Sequence, residues 1–169
     1  PLLEVSDLPA LATIAHENGA QLVVDNTFTP MILSPLRHGA DIVVHSLTKF
    51  VNGTSDCVAG CVVSSREFIS RLNDINAGPS MLLGPVLDST RAASILKNLH
   101  SLHIRLRQHG ANALYVSSRL EALGHAVHYP GLASHPHHNL LEQLMNPGYG
   151  WGGMRSEEHT SELQSRQYL

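Results

Sequence analysis

Residues 23–53 read VVDNTFTPMILSPLRHGADIVVHSLTKFVNG, and two apolar runs that fall largely within this stretch decide the fold. QLVVD (21–25) and DIVVHS (41–46) are short, rich in β-branched residues and closed by a polar side chain, the pattern of strands buried on both faces. Between them Pro30, Pro35 and Gly39 punctuate a loop with one short helical turn. Toward the N-terminus, Ser6-Asp7-Leu8-Pro9 supplies a capping side chain, an acid and an early proline. Leu8, Leu11, Ile14 and Ala15 follow at helical spacing, and Gly19 ends the run. Toward the C-terminus, the polar Asn52-Gly53-Thr54-Ser55 turn leads to a third strand, CVAGCVV (57–63). A helix is predicted over 65–76, where Phe68, Ile69, Leu72 and Ile75 share a face.

Helix, strand, short helix, strand, strand, helix is the alternation of an α/β domain around a mostly parallel sheet. After the punctuation of GPSMLLGP (78–85) the pattern is helical from about Val86 to Leu123, with Gly110 as a bend or break. Gly124 closes that segment, and AVHYP (126–130) starts a new strand. The expected division is therefore a sheet domain with its connecting helix over 1–124, then the start of a second domain over 125–154. Three strands are too few to bury both faces of a parallel sheet, so further partners are expected from outside this sequence.

Composition excludes several classes. The chain has 169 residues, 43% hydrophobic and 15% charged, with a formal charge of −3 and no long run of either sign, so a nucleic-acid-binding basic face is not expected. No apolar stretch approaches the roughly 18 residues that span a bilayer. Cys57 and Cys61 cannot form a disulfide framework, which favours a reducing, cytoplasmic setting. Residues 155–165, RSEEHTSELQS, are polar and aperiodic and match the translation of a common sequencing adapter codon by codon. Residues 155–169 are accordingly expected not to be native sequence, and functional reading stops at about Met154.

In open α/β sheets ligands bind beyond the carboxyl ends of the strands. Asp25 stands there on the first strand, and Ser46-Leu47-Thr48-Lys49 follows the second. An acid and an amine would face one crevice, with the Ser46 and Thr48 hydroxyls placed to hold a phosphate. That set suits pyridoxal 5'-phosphate: a carboxylate keeps a pyridine nitrogen protonated, and a desolvated lysine attaches covalently to an aldehyde. By spacing alone it is one option among several, since a buried Asp and a surface Lys occur in most α/β proteins.

The stretch 23–53, followed by HYPGL (128–132) and YGWGG (149–153), resembles the Cys/Met-metabolism enzymes that use pyridoxal phosphate, the cystathionine γ-synthase-like group. The DNT, HSxTK and YPGL elements carry the resemblance over about 1–154. It implies a fragment of the type I pyridoxal-phosphate-dependent transferase (aspartate aminotransferase-like) large domain. By matching position, Asp25 would pair with the pyridine nitrogen, and Lys49 would hold the cofactor and move protons at Cα and Cβ. Ser46 and Thr48 would bind the phosphate, and Thr27 would lie near the ring. MILSPLRHGAD, MLLGP and PGYGWGG look most like members that eliminate the γ-thiol of methionine, giving methanethiol, 2-oxobutanoate and ammonia. Sister reactions are elimination from cystathionine and γ-replacement on an O-acylhomoserine. A reading of another class is a non-catalytic interaction fragment. The resemblance further implies a homodimer or homotetramer with shared active sites. Contacts from regions before Pro1 and after Met154 would complete the site, so the segment alone is expected to be inactive.

Other signals have plainer readings. The chain holds 12 histidines, but the three of His135-Pro136-His137-His138 cannot easily converge on a metal and read as a solvated loop, so no metal site is expected. His100 and His103 share a helix face as surface or packing residues. His45 is expected to turn into the packing layer of the sheet. GYGWGG (148–153) lacks the strand–helix context of a dinucleotide loop and reads as a tight entrance to the second domain. Cys57 and Cys61 read as small apolar fillers.

Overall fold

The computed structural model describes residues 2–157. Helix α1, Leu8–Glu17, begins where the sequence predicts: the Asp7 carboxylate accepts from the Ala10 amide at 3.0 Å, and Pro9 occupies the first turn. Leu8 and Ala12 form its buried edge. Strand β1 (Val23–Asp25) follows, then a 3-10 turn at Pro35–His38 that ends on Gly39 at φ 91°. A side chain at position 39 would meet the Ala12 Cβ at 2.6 Å, so glycine there lets this turn pack on α1.

Strand β2 (Ile42–Ser46) lies parallel to β1, with Asp25 opposite Val44, and β3 (Gly60–Val63) pairs with its other edge. The β2–β3 pairing is antiparallel, with His45 opposite Cys61 and Ser46 opposite Gly60. The three described strands thus carry one parallel and one antiparallel pairing, within the expected α/β class. A parallel pairing needs a crossover, usually helical, whereas the connection 47–59 contains no α-helix. Strand β3 is also shorter than expected, and Cys57 lies before it, packed against the core. Val23 is 54% and Val62 42% exposed, as anticipated for a sheet of three strands.

Helix α2 (Arg66–Leu72) starts on the Ser65 hydroxyl, and α3 (Pro79–Leu83) is a single turn closed by Gly84. The predicted long helical segment is two helices, α4 (Ser89–Leu99) and α5 (Leu102–Ala122). The break falls at His100 and Ser101, which leaves His100 outside both helices while His103 lies on α5. Helix α5 runs unbroken through Gly110, beside which the loop at Gly150 packs, its Cα 3.6 Å from where a Cβ would sit. Its buried residues, Leu102, Leu106, Gly110, Ala113 and Ser117, form one stripe. The first two join Val51 and Ile95 in the main core, and Ala113 packs with Tyr129 and Leu132 in a second cluster.

Strand β4 (Val127–His128) pairs antiparallel with β5 (Ser156–Glu157). Ser156 and Glu157 belong to the segment read as adapter-derived; the rest of it, from 158 on, lies outside the described residues. Helix α6 (His138–Leu144), which the sequence reading missed, buries Leu141 and Leu144. The histidines before it are not solvated as predicted. His135 is 7% exposed, His137 Nδ1 accepts from the Val5 amide at 2.8 Å, and His138 stacks on Trp151 at 4.3 Å. Their backbone and ring partners lie far off in sequence, which no local pattern reveals.

Candidate active site

Parallel pairing of β1 and β2 brings both carboxyl ends to one edge of the sheet. The Asn26 amide donates to the Val44 carbonyl at 2.9 Å, extending the ladder one step past Asp25. The chain then turns so that the Thr27 amide donates to Asp25 Oδ1 at 2.9 Å, while the Ser46 amide donates to Thr27 Oγ1 at 2.8 Å. Thr27 is 8% exposed and Asp25 open to solvent. The Thr27 hydroxyl, and after it the Thr27 amide, hold the Asp25 carboxyl below its ordinary range. Asp25 therefore presents a fixed negative charge at the strand end.

Beyond β2 the chain folds into a compact turn. The Lys49 amide donates to the Ser46 carbonyl at 3.3 Å, Asn52 to Leu47 at 2.9 Å, and Gly53 back to Lys49 at 2.8 Å. Lys49 is exposed and lines a cleft of about 540 Å³ together with Thr48, Phe50 and Phe28. Asp25 lines a neighbouring cleft of about 230 Å³ with Val24, Trp151 and residues 3–6 of the N-terminal segment. Phe28 and Met154 border both clefts, so the carboxylate and the amine open onto adjoining space. Ser46 sits at the end of β2, half-buried. The Thr48 hydroxyl is committed elsewhere: it donates to the Ala59 carbonyl at 3.2 Å and accepts from the Ala59 amide at 2.9 Å.

His45 lies on the opposite side of β2 from Ser46's neighbour Val44, beside Val43 and Leu33. Burial pushes its imidazole below the usual range, against the pull of the Asn26 carbonyl and the Asp25 charge. It lies half-buried among apolar neighbours of the sheet's packing layer, as expected. Among the described residues no three His, Cys, Asp or Glu side chains gather as metal ligands, and no helix is long and apolar enough to cross a membrane. In GYGWGG, Gly148, Gly150 and Gly152 all have φ between 75° and 89°, the sharp turns that let the loop lie against α5.

Sequence reasoning missed two contributors. Phe28, next to Thr27 in the quoted stretch, supplies an apolar wall shared by the two clefts. Arg105, half-buried in α5, lines the Lys49 cleft from outside the motif region. A planar aromatic cofactor with a protonated ring nitrogen, an aldehyde and an anionic arm would find matching groups here: a solvent-open carboxylate that stays charged, an exposed amine, the Ser46 hydroxyl, the Thr48 hydroxyl once it leaves the Ala59 carbonyl, and apolar surface at Val24 and Phe28. The residues present fit pyridoxal phosphate.

Comparison with known proteins agrees. The family model described as Cys/Met metabolism PLP-dependent enzyme matches residues 1–168. Methionine gamma-lyase of Arabidopsis thaliana is 40% identical over 169 residues, covering 100% of this chain and 38% of the relative. Cystathionine gamma-lyase of Dictyostelium discoideum is 43% identical over 162 residues, covering 91% and 39%. The crystal structure of cystathionine gamma synthase from Xanthomonas oryzae pv. oryzae superposes with a TM-score of 0.88 at 37% identity, over 100% of this chain and 43% of that one. The chain thus spans about two-fifths of the length of these relatives.

Proposed function

The chain belongs to the Cys/Met-metabolism family of PLP-dependent enzymes, and from that premise we propose that its protein is a carbon–sulfur lyase acting on methionine. The observation that supports this reading is that Asp25 ends β1 while Lys49 lies in the turn just past its parallel neighbour β2, the first held charged by Thr27 and the second exposed, on adjoining clefts.

Bound pyridoxal phosphate supplies an electron sink for carbanions next to the amino group. The protein's part is to bind, orient and move protons. Asp25 would keep the ring nitrogen protonated, with Thr27 fixing the carboxylate. Ser46 and Thr48 would donate to the phosphate, Thr48 by exchanging its Ala59 carbonyl partner for a phosphate oxygen. Lys49 would hold the cofactor covalently and, once the substrate amine has taken its place, would accept the proton from Cα, give that proton up, and accept a second from Cβ, one of the two returning to the departing thiolate. Loss of the γ-thiol follows, and water completes the balance: methionine and water give methanethiol, 2-oxobutanoate and ammonia. The free thiols of Cys57 and Cys61 support a reducing cytoplasmic setting, and the family resemblance supports a homodimer or homotetramer.

Elimination from cystathionine is the rival reading, favoured by the 43% identity of the Dictyostelium relative; γ-replacement on an O-acylhomoserine is another. The test uses the full natural chain with each substrate in turn. Methanethiol with 2-oxobutanoate from methionine supports the first reading. Cysteine from cystathionine without methionine turnover supports the second. No turnover of any sulfur amino acid, and no cofactor band in the visible spectrum, would overturn both.

A further inference from the structure

Arg105 is placed to control the turn that carries Lys49. From the first turns of α5 its guanidinium reaches across to that turn, where Nη1 donates to the Phe50 carbonyl at 2.6 Å and Nη2 to the Val51 carbonyl at 2.9 Å. Nη2 also donates to the Asn98 carbonyl at 3.2 Å, and Nε to the Ser101 hydroxyl at 3.0 Å. A planar fork bonded to carbonyls on both sides fixes the turn against the α4–α5 break in a way a lysine ammonium cannot. Gly53 records the same closeness: at φ +74°, a Cβ there would meet Arg105 Nη1 at 2.4 Å. Asn98 adds a second grip, donating at 2.8 Å to Asn52, which is 1% exposed and itself donates to Asp56 at 2.7 Å.

We propose that Arg105 is a positioning residue for Lys49: by bonding the two carbonyls that follow the lysine, it holds the amine at the reach and angle that covalent attachment of the cofactor requires. The α4–α5 break serves this contact, because Asn98, in the last turn of α4, and Ser101, within the break, are the other two partners of the guanidinium. Arg105 touches neither cofactor nor substrate in this role. The inference rests on the reading of Lys49 as the cofactor-bearing lysine.

The experiment uses the cofactor-free form of the full natural chain and the variants Arg105→Lys, Arg105→Ala and Lys49→Ala. Pyridoxal phosphate is added, and its attachment is followed by visible absorbance and by borohydride fixation at position 49. Thermal midpoints are measured alongside. Both Arg105 variants are expected to attach the cofactor at least about ten-fold more slowly, the scale on which small misplacements of a reacting group act. Millimolar guanidinium is expected to restore part of the rate to Arg105→Ala and none to Arg105→Lys, a response that a general packing role would not give. If Arg105→Ala fails to fold, Arg105→Lys keeps the charge and the stem and carries the comparison. Wild-type attachment rates in the Arg105 variants, with Lys49→Ala blank, would overturn the inference alone. Borohydride-stable label and an unchanged band in Lys49→Ala would overturn the reading beneath it.

Discussion

The Ser46 amide donates to the Thr27 hydroxyl at 2.8 Å, stitching the end of β2 to the turn that leaves β1. The same threonine's backbone amide donates to Asp25, so one buried residue sets the relative position of the two strand ends that carry the acid and the lysine turn. Thr27→Val keeps the shape but leaves the Ser46 amide unpaired. It is expected to cost about 1–3 kcal/mol of stability, the penalty for an orphaned buried donor, and to weaken cofactor retention. Denaturant titration and cofactor dialysis check both, and an unchanged midpoint would sink the idea.

Asp25 carries a sign that pH can test. Its folded-state carboxyl titrates below the ordinary 3.8 because the Thr27 hydroxyl and amide favour the charged form. The unfolded chain therefore binds this proton at higher pH than the folded chain does. Stability from this group is fully present above the unfolded value and is lost as pH falls through the lower folded value. NMR titration of the Asp25 carboxyl should give a midpoint under 3.8, and Thr27→Val should move it back upward. A midpoint at or above 3.8 in the unsubstituted protein would contradict the geometry.

Gly110 offers a test of why a glycine sits in a helix. A Cβ there would meet the Trp151 amide at 3.5 Å and Gly150 Cα at 3.6 Å, ordinary contact distances. Gly110→Ala is therefore expected to fold and to gain up to about 1 kcal/mol from helix propensity. A loss of stability on thermal unfolding would show that the contacts with the GYGWGG loop do not accommodate a methyl group.

What the sequence disclosed follows the same physics. The strand ends at Asp25 and Ser46 are legible because valine-rich runs closed by polar residues mark strands, whereas the roles expected of Asp25 and Lys49 come from the family resemblance. Asp7 was legible as a cap because capping is local. The direction of β3 was not, since CVAGCVV reads alike forward or backward and direction depends on how 47–59 returns. The break at His100 and Ser101 has no glycine or proline to mark it; Arg105, bonded to both Asn98 and Ser101, shows its reason only in space. Gly110 reads locally as a bend or break, yet α5 runs through it, and the loop 40 residues later that packs beside it leaves no local trace. Helix α6 and the histidines before it were missed because their burial depends on residues 2–5 and Trp151.

Those histidines supply the last prediction. Leu3 has φ +52°, a conformation that leucine rarely adopts and that persists only when neighbours hold it. His135 Nε2 lies 3.3 Å from the Leu2 carbonyl, and His137 Nδ1 accepts from the Val5 amide at 2.8 Å, so contacts on either side pin the strained residue. His135 Nδ1 in turn accepts from the His137 amide at 3.2 Å, coupling the two rings. Residues 3–6 form a wall of the Asp25 cleft, which ties this clamp to the site. His137→Ala should free the Val5 amide and let Leu3 relax. The lost hydrogen bond is worth about 1 kcal/mol, which corresponds to about five-fold faster amide exchange. The acceleration should be confined to residues 2–6, while the amides of α5 keep their protection. Unchanged exchange at Val5 would mean that the strained segment is held by its apolar contacts alone, and the wall of the cleft would then owe nothing to the histidine.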